Sequence, residues 1–165
     1  MSSFDTFLEI QGIEGESKDA QHPKTIQVTA YEWSMDLATS KGTGGSVSAP
    51  GKAEVNNLVF HHEVDKASPL LMKSCLSGKP VEKATLFVRK AGGDKPLDYF
   101  KIIMTNVIVA SVNNGGKSAG ADKLTEQVGL AFDTVRVEYQ EQDAGGKPAG
   151  GAIAFTYDVK GHKLA

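Results

Sequence analysis

The side chains that could do chemistry in this chain gather in three places. His61-His62-Glu63 offers two imidazoles and a carboxylate in consecutive positions, the donor types that hold zinc and other transition metals. Adjacent residues of an extended strand point to opposite faces, so His61 and His62 cannot both reach one ion there. His61 and Glu63 do share a face, but no third ligand is identifiable. Ser17, Asp19 and His22 supply the residue types of a nucleophilic triad, and His22 precedes Pro23 in a turn. A triad is defined by geometry, and nothing around Ser17 has the glycine-flanked pattern of a nucleophile elbow. Cys75 is the single cysteine. It sits on the apolar side of a helical segment, where a thiol acts as a small buried hydrophobe. His162 lies in the tail and adds nothing to these groups.

Other chemistries are excluded by pattern. The Gly-Gly runs at 44–45, 92–93 and 115–116 lack the Lys-Ser/Thr of a phosphate loop and the strand–turn–helix setting of a dinucleotide site. They read as turns, and no cofactor or metal is expected. The formal charge is −2, with only Arg89 and Arg136 among 18 basic residues, so there is no nucleic-acid footprint. One cysteine allows no intrachain disulfide and fits synthesis in a reducing compartment. Met-Ser-Ser-Phe-Asp at the start has no basic region and no apolar run, so a cytoplasmic product without a secretory signal is expected. No segment approaches the ~20 apolar residues of a membrane helix.

The elements that must position these groups read as strands. Phe4, Thr6, Leu8 and Ile10 alternate with Asp5, Glu9 and Gln11, and a second alternating segment after Pro23 ends at Trp33. Alternation returns at residues 53–63, 84–91, 97–112, 124–140 and 152–160, with glycine-rich connections at 41–45, 91–94, 113–116 and 144–147. With 165 residues, 40% of them hydrophobic, the chain is long enough to bury roughly 70% of its unfolded surface in one domain, 1–165. The expectation is a mainly β protein: a β-barrel of two sheets with one short α-helix and a long protruding loop. The helix follows Asp65-Lys66-Ala67, with Ser68 as its cap, Pro69 at its first position and Gly78 just past its end. Leu71 with Cys75 and Met72 with Leu76 would form its apolar face. The protruding loop, 36–52, is expected to lack secondary structure, which in a compact domain marks a functional or mobile segment.

Along the strand ending at Trp33, alternation puts Thr29, Tyr31 and Trp33 on one face and Val28, Ala30 and Glu32 on the other. The aromatic face belongs in the core. The second face is solvated or at an interface.

The wording of several fragments is distinctive. Gly15-Glu16-Ser17-Lys18-Asp19, then His22 and Trp33, are followed by a glycine-rich loop, Gly51-Lys52, and Val64-Asp65-Lys66-Ala67-Ser68-Pro69-Leu70-Leu71. Gly78-Lys79, Leu86-Phe87-Val88-Arg89-Lys90-Ala91-Gly92-Gly93 and Val107-Ile108-Val109-Ala110-Ser111-Val112 come next, then Leu124-Thr125-Glu126-Gln127-Val128 and Val137-Glu138-Tyr139. In this order the fragments resemble the Hcp family, the tube-forming proteins of bacterial type VI secretion, over essentially the whole chain.

The resemblance implies a structural subunit and no enzyme: homohexameric rings that stack into a tube, bind effectors in the lumen and are themselves secreted by a signal-independent route. Its partners would be other copies of itself, effectors, and the spike and sheath of the machine. The resemblance also implies that Glu32, with Ala30 and Val28 on its face, points into the lumen. The loop Lys41, Gly42, Thr43, Gly44, Gly45 and Ser46 would pack between subunits and stacked rings. Any toxic activity would belong to a separate cargo, since the chain stops about where the barrel ends. Two alternatives stay open at this point: a phage-like tail-tube protein, and a metal- or ligand-binding β-barrel enzyme using His61 and Glu63.

Overall fold

The computed structural model describes residues 4–90, 96–120 and 123–165. Among the described residues twelve strands and one helix follow in chain order. Strands β1 (Phe4–Ile10), β2 (Ile26–Glu32), β7 (Leu58–Glu63), β8 (Val81–Lys90), β9 (Asp98–Gly115), β10 (Thr125–Tyr139), β11 (Ile153–Asp158) and β12 (Lys163–Leu164) form one eight-stranded sheet. Its order is β12-β11-β10-β7-β2-β1-β8-β9, and β9 pairs again with β10. That last pairing closes the sheet on itself. The expected mainly β barrel with one short helix is what the structure shows, its wall hydrogen-bonded continuously and two small ribbons standing beside it. The connection at 91–94 lies outside the described residues.

The long strands make closure possible. Along β10, Thr125 to Leu130 pair with β7 on one side, and Thr134 to Tyr139 pair with β11 on that same side. Throughout, its other side pairs with β9, from Thr125↔Gly115 to Tyr139↔Phe100, with a register shift at Gly129/Leu130. Closure leaves β9 and β10 without the open edges of a flat sheet over most of their length. Leu8, Ile26, Leu58, Phe60, Leu86, Ile102, Met104, Leu130 and Val135 fill the interior with no exposed surface.

Helix α1 (Ser68–Ser77) packs against β9. Pro69 stands in its first turn, and Gly78 ends it in the left-handed region at φ 65°, its N–H donating to the Ser74 carbonyl. Ser68 is not the cap that the sequence predicts. Ala67 holds that position, and the buried Ser68 hydroxyl accepts the Asp65 N–H, while Asp65 Oδ1 accepts the Ala67 N–H. The turn before the helix is thus held by side chains, and the helix proper starts without one. The apolar face is also narrower than predicted. Leu71 is fully buried and Cys75 packs on the core, but Leu76 is 90% exposed.

The segment between β2 and β7 is the other departure. The loop predicted to lack structure is an arm of two short ribbons in series. Strand β3 (Met35–Leu37) pairs with β6 (Ala53–Val55), and β4 (Ser40–Lys41) pairs with β5 (Val47–Ser48). The Gly42 N–H donates to the Ser46 carbonyl and the Gly45 N–H to the Gly42 carbonyl, which closes the tip. Nearly all of the arm is exposed.

Phe60 lies in the middle of this core and touches no solvent. Phe60→Ala is expected to lower unfolding free energy by about 3–5 kcal/mol. Urea denaturation checks it, and a loss below ~1 kcal/mol would show that the barrel collapses into the space.

Candidate functional site

Most of the candidates for chemistry are already engaged by the fold. His62 is completely buried, and its Nε2 lies 3.0 Å from Glu126 Oε1, itself inside the barrel. Asn114 Nδ2 donates to the second carboxylate oxygen at 3.1 Å, so β7, β10 and β9 meet in one polar cluster. His62 Nδ1 has no hydrogen-bond partner, with Asp65 Oδ1 3.9 Å away. A buried His–carboxylate pair of this kind fixes strand register, because a one-residue slip would leave both groups unpaired. His61 points the other way and is half-buried, and Glu63 is salt-bridged to Lys123 at 3.0 Å. Among the described residues no group of three His, Cys, Asp or Glu could hold a metal. Cys75 is free and half-buried.

Ser17, Asp19 and His22 are each bound elsewhere, in the 11–25 connection that folds back over the outside of the barrel. The Ser17 hydroxyl accepts the Asp19 N–H at 3.2 Å. Asp19 accepts the N–H groups of Gln21 and His22 through Oδ1, and it takes the Arg89 guanidinium on both oxygens. Arg89 also reaches Asp5 at 3.4 Å and lies over the Phe7 ring at 4.9 Å. The buried His22 ring is held between Phe7 (4.9 Å) and Phe87 (4.4 Å), with Nε2 2.9 Å from the Asp98 carboxylate. Phe7, buried yet outside the main core, is thereby sealed under the connection. Gly15 permits the close approach: a Cβ there would lie 2.4 Å from the Thr25 carbonyl oxygen. Glu16 completes the strap by accepting the Lys66 N–H at 2.9 Å.

Strand β2 presents a different face from the one predicted. Pairing runs Val28↔His62 and then Ala30↔His61, so Thr29 is an extra residue in a bulge, its hydroxyl donating to the His61 carbonyl. The bulge shifts the phase of the alternation. Before it Ile26 and Val28 point inward; after it Tyr31 and Trp33 do. Val28 is a core residue and does not share the outward face, and Thr29 is exposed, outside the core face it was assigned. Ala30 and Glu32 are exposed. Trp33 packs edge-on against Phe132 and its indole N–H donates to the Asn56 carbonyl, which ties the root of the arm to the wall. Burial is the main cause raising the Tyr31 phenol above its ordinary range, with Tyr99 adding to it.

From Ala30 and Glu32 the register extends outward-facing rows across neighbouring strands. Ala30 lies beside His61, then Gln127, then Asn113; Glu32 lies beside Val59, then Gly129, then Ser111. Apart from Val59 these rows are small or polar, with Glu32 the one formally charged residue in either row. Sequence alternation missed the rows, since they arise only from long-range register.

Fold and site together define a closed β-barrel with a projecting arm, in which His62, Glu126, Asp19, His22 and Arg89 are engaged in holding the wall together. Residues 7–139 match the family model described as "Type VI secretion system effector, Hcp". The chain is 42% identical over 156 residues to the protein hcp1 of Pseudomonas aeruginosa, covering 94% of this chain and 95% of that one. Among solved structures it is similar to Hcp1 from Salmonella typhimurium (40% identity, TM-score 0.81, 99% and 100% of the two chains covered). It is similar also to a type VI secretion system effector from Yersinia pestis (35% identity, TM-score 0.74, 94% and 100% covered). The chain belongs to the Hcp family of type VI secretion.

The strap carries a pH signature. The Arg89 hydrogen bond, aided by the backbone N–H groups of His22 and Gln21, outweighs burial and holds the Asp19 carboxyl below its ordinary value. A carboxyl lowered in the folded chain binds fewer protons there, so its stabilisation is full above the unfolded value of about pH 4. It is lost as pH falls through the lower folded value. Asp19→Asn is expected to be less stable at neutral pH and to lose less stability on acidification. Urea midpoints from about pH 2 to 6 check this, and identical slopes for both proteins would place the acid sensitivity elsewhere.

Proposed function

We propose that this chain is a structural subunit of the type VI secretion inner tube: it forms stacked hexameric rings, carries effectors in the lumen and is secreted with them. Family membership over residues 7–139 is the observation that carries the reading. Physical features agree with it. A ring requires head-to-tail contacts between different surfaces of adjacent subunits, and the arm and the barrel wall are different surfaces. The spike, sheath and effectors are the partners this role needs. No catalytic role is assigned to any residue. Among the described residues no helix is long and apolar enough to cross a membrane.

In this reading Glu32 and Ala30 face the lumen, while Lys41, Gly42, Thr43, Gly44, Gly45 and Ser46 at the arm's tip contact the next ring. A carboxylate repeated around a ring favours cargo surfaces with positive charge. Native mass spectrometry is expected to give a ring several times the 17.5 kDa chain mass; monomer at every concentration would refute the role.

Two variants test the assignments of surface. Glu32→Arg is expected to change effector retention at least severalfold in pull-down while the ring mass stays the same. Loss of the ring would move Glu32 to the subunit interface. Deletion of 42–45 is expected to weaken ring stacking, seen as fewer and shorter tubes by electron microscopy, with the barrel's melting temperature within a few degrees of the parent. A large fall in melting temperature would make the tip part of the fold.

A further inference from the structure

Strand β9 ends in Val112-Asn113-Asn114-Gly115, and Asn114 is the one asparagine of the chain that is followed by glycine. An asparagine side chain can react with the backbone nitrogen of the next residue, and a side chain on that residue hinders the approach. Asn57 and Asn106 precede Leu58 and Val107, while Asn56 and Asn113 precede further asparagines. Glycine has no Cβ to stand in the way. The fold itself does not call for glycine at 115. Its φ lies outside the left-handed region, and a Cβ there would meet nothing within 4 Å.

The side chain of Asn114 is tied to the buried polar cluster of the wall. Its Nδ2 donates to Glu126 Oε2 at 3.1 Å, and His62 Nε2 lies 3.0 Å from Oε1, so each oxygen of a carboxylate only 2% exposed faces one side-chain partner. Asn114 is nevertheless exposed as a residue, and Thr125↔Gly115 is the last rung between β9 and β10, where a ladder frays first. Asn113 projects to the other face of the strand, in the row of Gln127 and His61.

We propose that Asn114 is a site of spontaneous deamidation, and that its conversion loosens the β9–β10 end of the barrel. The Gly115 backbone nitrogen gives its proton to water and bonds to Asn114 Cγ. The Cγ–Nδ2 bond breaks, and Nδ2 takes up a proton and leaves as ammonia. One water then opens the cyclic imide, so the net reaction consumes water, releases ammonia and involves no oxidant or reductant. Opening at one carbonyl gives aspartate on an unchanged backbone. Opening at the other gives isoaspartate, whose main chain is one carbon longer and no longer fits the rung Glu126↔Asn114. In both products the Nδ2 donor is gone and a carboxylate stands at 114. Glu126 loses a hydrogen bond and gains an anion beside it, which is destabilising for a buried charge. Extended backbone holds the Gly115 nitrogen away from Cγ, so the reaction proceeds from the frayed end, and its product resists closing again. The change is one-way and depends on no other subunit.

The test holds the full-length protein for weeks in mildly alkaline buffer and reads the conversion of each asparagine by peptide mapping with mass spectrometry. Conversion at 114 is expected to be at least tenfold faster than at the other asparagines; an equal or slower rate overturns the site. Gly115→Ala is expected to slow it at least tenfold with the melting temperature within a few degrees of the parent, and an unchanged rate overturns the proposal. Ion exchange then isolates the acidic fraction of aged protein, which had folded before it reacted. That fraction is expected to melt several degrees below the unreacted one, and Asn114→Asp several degrees below Asn113→Asp. Equal melting of the two fractions overturns the loosening.

Discussion

Strand β10 is the constraint on which the rest depends. It pairs with β9 along its whole length on one side, and with β7 and then β11 on the other. Without it the wall would be an open sheet with long edges, which in water invites pairing with other chains. Closure removes that hazard around most of the circumference and moves it to one place, the β11 end, where the sheet leaves the barrel. The same strand carries Glu126 into the interior to meet His62. Hydrophobic packing alone tolerates many arrangements of valines and leucines. One buried carboxylate facing one buried imidazole tolerates far fewer.

The same logic runs through the 11–25 strap. Asp19, His22 and Arg89 are residue types found in active sites, and here each is saturated by structure. Arg89 is hydrogen-bonded to two aspartates, and His22 is enclosed by two phenyl rings and Asp98. These contacts cover Phe7 on the outer wall, where a barrel would otherwise expose it. A wall one sheet thick has no second layer to pack its outer face. The chain supplies a partial second layer from its own β1–β2 connection, fastened by charge because little apolar area is available there.

Much of this was legible in the residues. Strand segments, the helix stop at Gly78 and the outward face of Ala30 and Glu32 follow from local patterns. The misplacements share a cause. Strict alternation runs through Thr29, but a bulge is a decision of the partner strand: Val28 pairs with His62 and Ala30 with His61, on either side of the extra residue. That is why Val28 faces the core and Glu32 faces outward, though alternation puts them on one face. Ser68 has the right side chain for a helix cap, yet its burial and its bond to Asp65 decide otherwise. The arm's ribbons are two or three residues long, too short to register as alternation between glycines. The His62–Glu126 and Arg89–Asp19 pairs join residues 64 and 70 positions apart, beyond any local pattern.

The barrel and the arm differ in how far they satisfy themselves. In the barrel, buried ionic groups find partners within the chain and apolar faces close on one another. In the arm, apolar residues stay half exposed and two carboxylates face each other across the ribbon. Asp36 relieves part of that repulsion by accepting the Asn56 Nδ2–H at 3.1 Å, at the root where Trp33 also bonds Asn56.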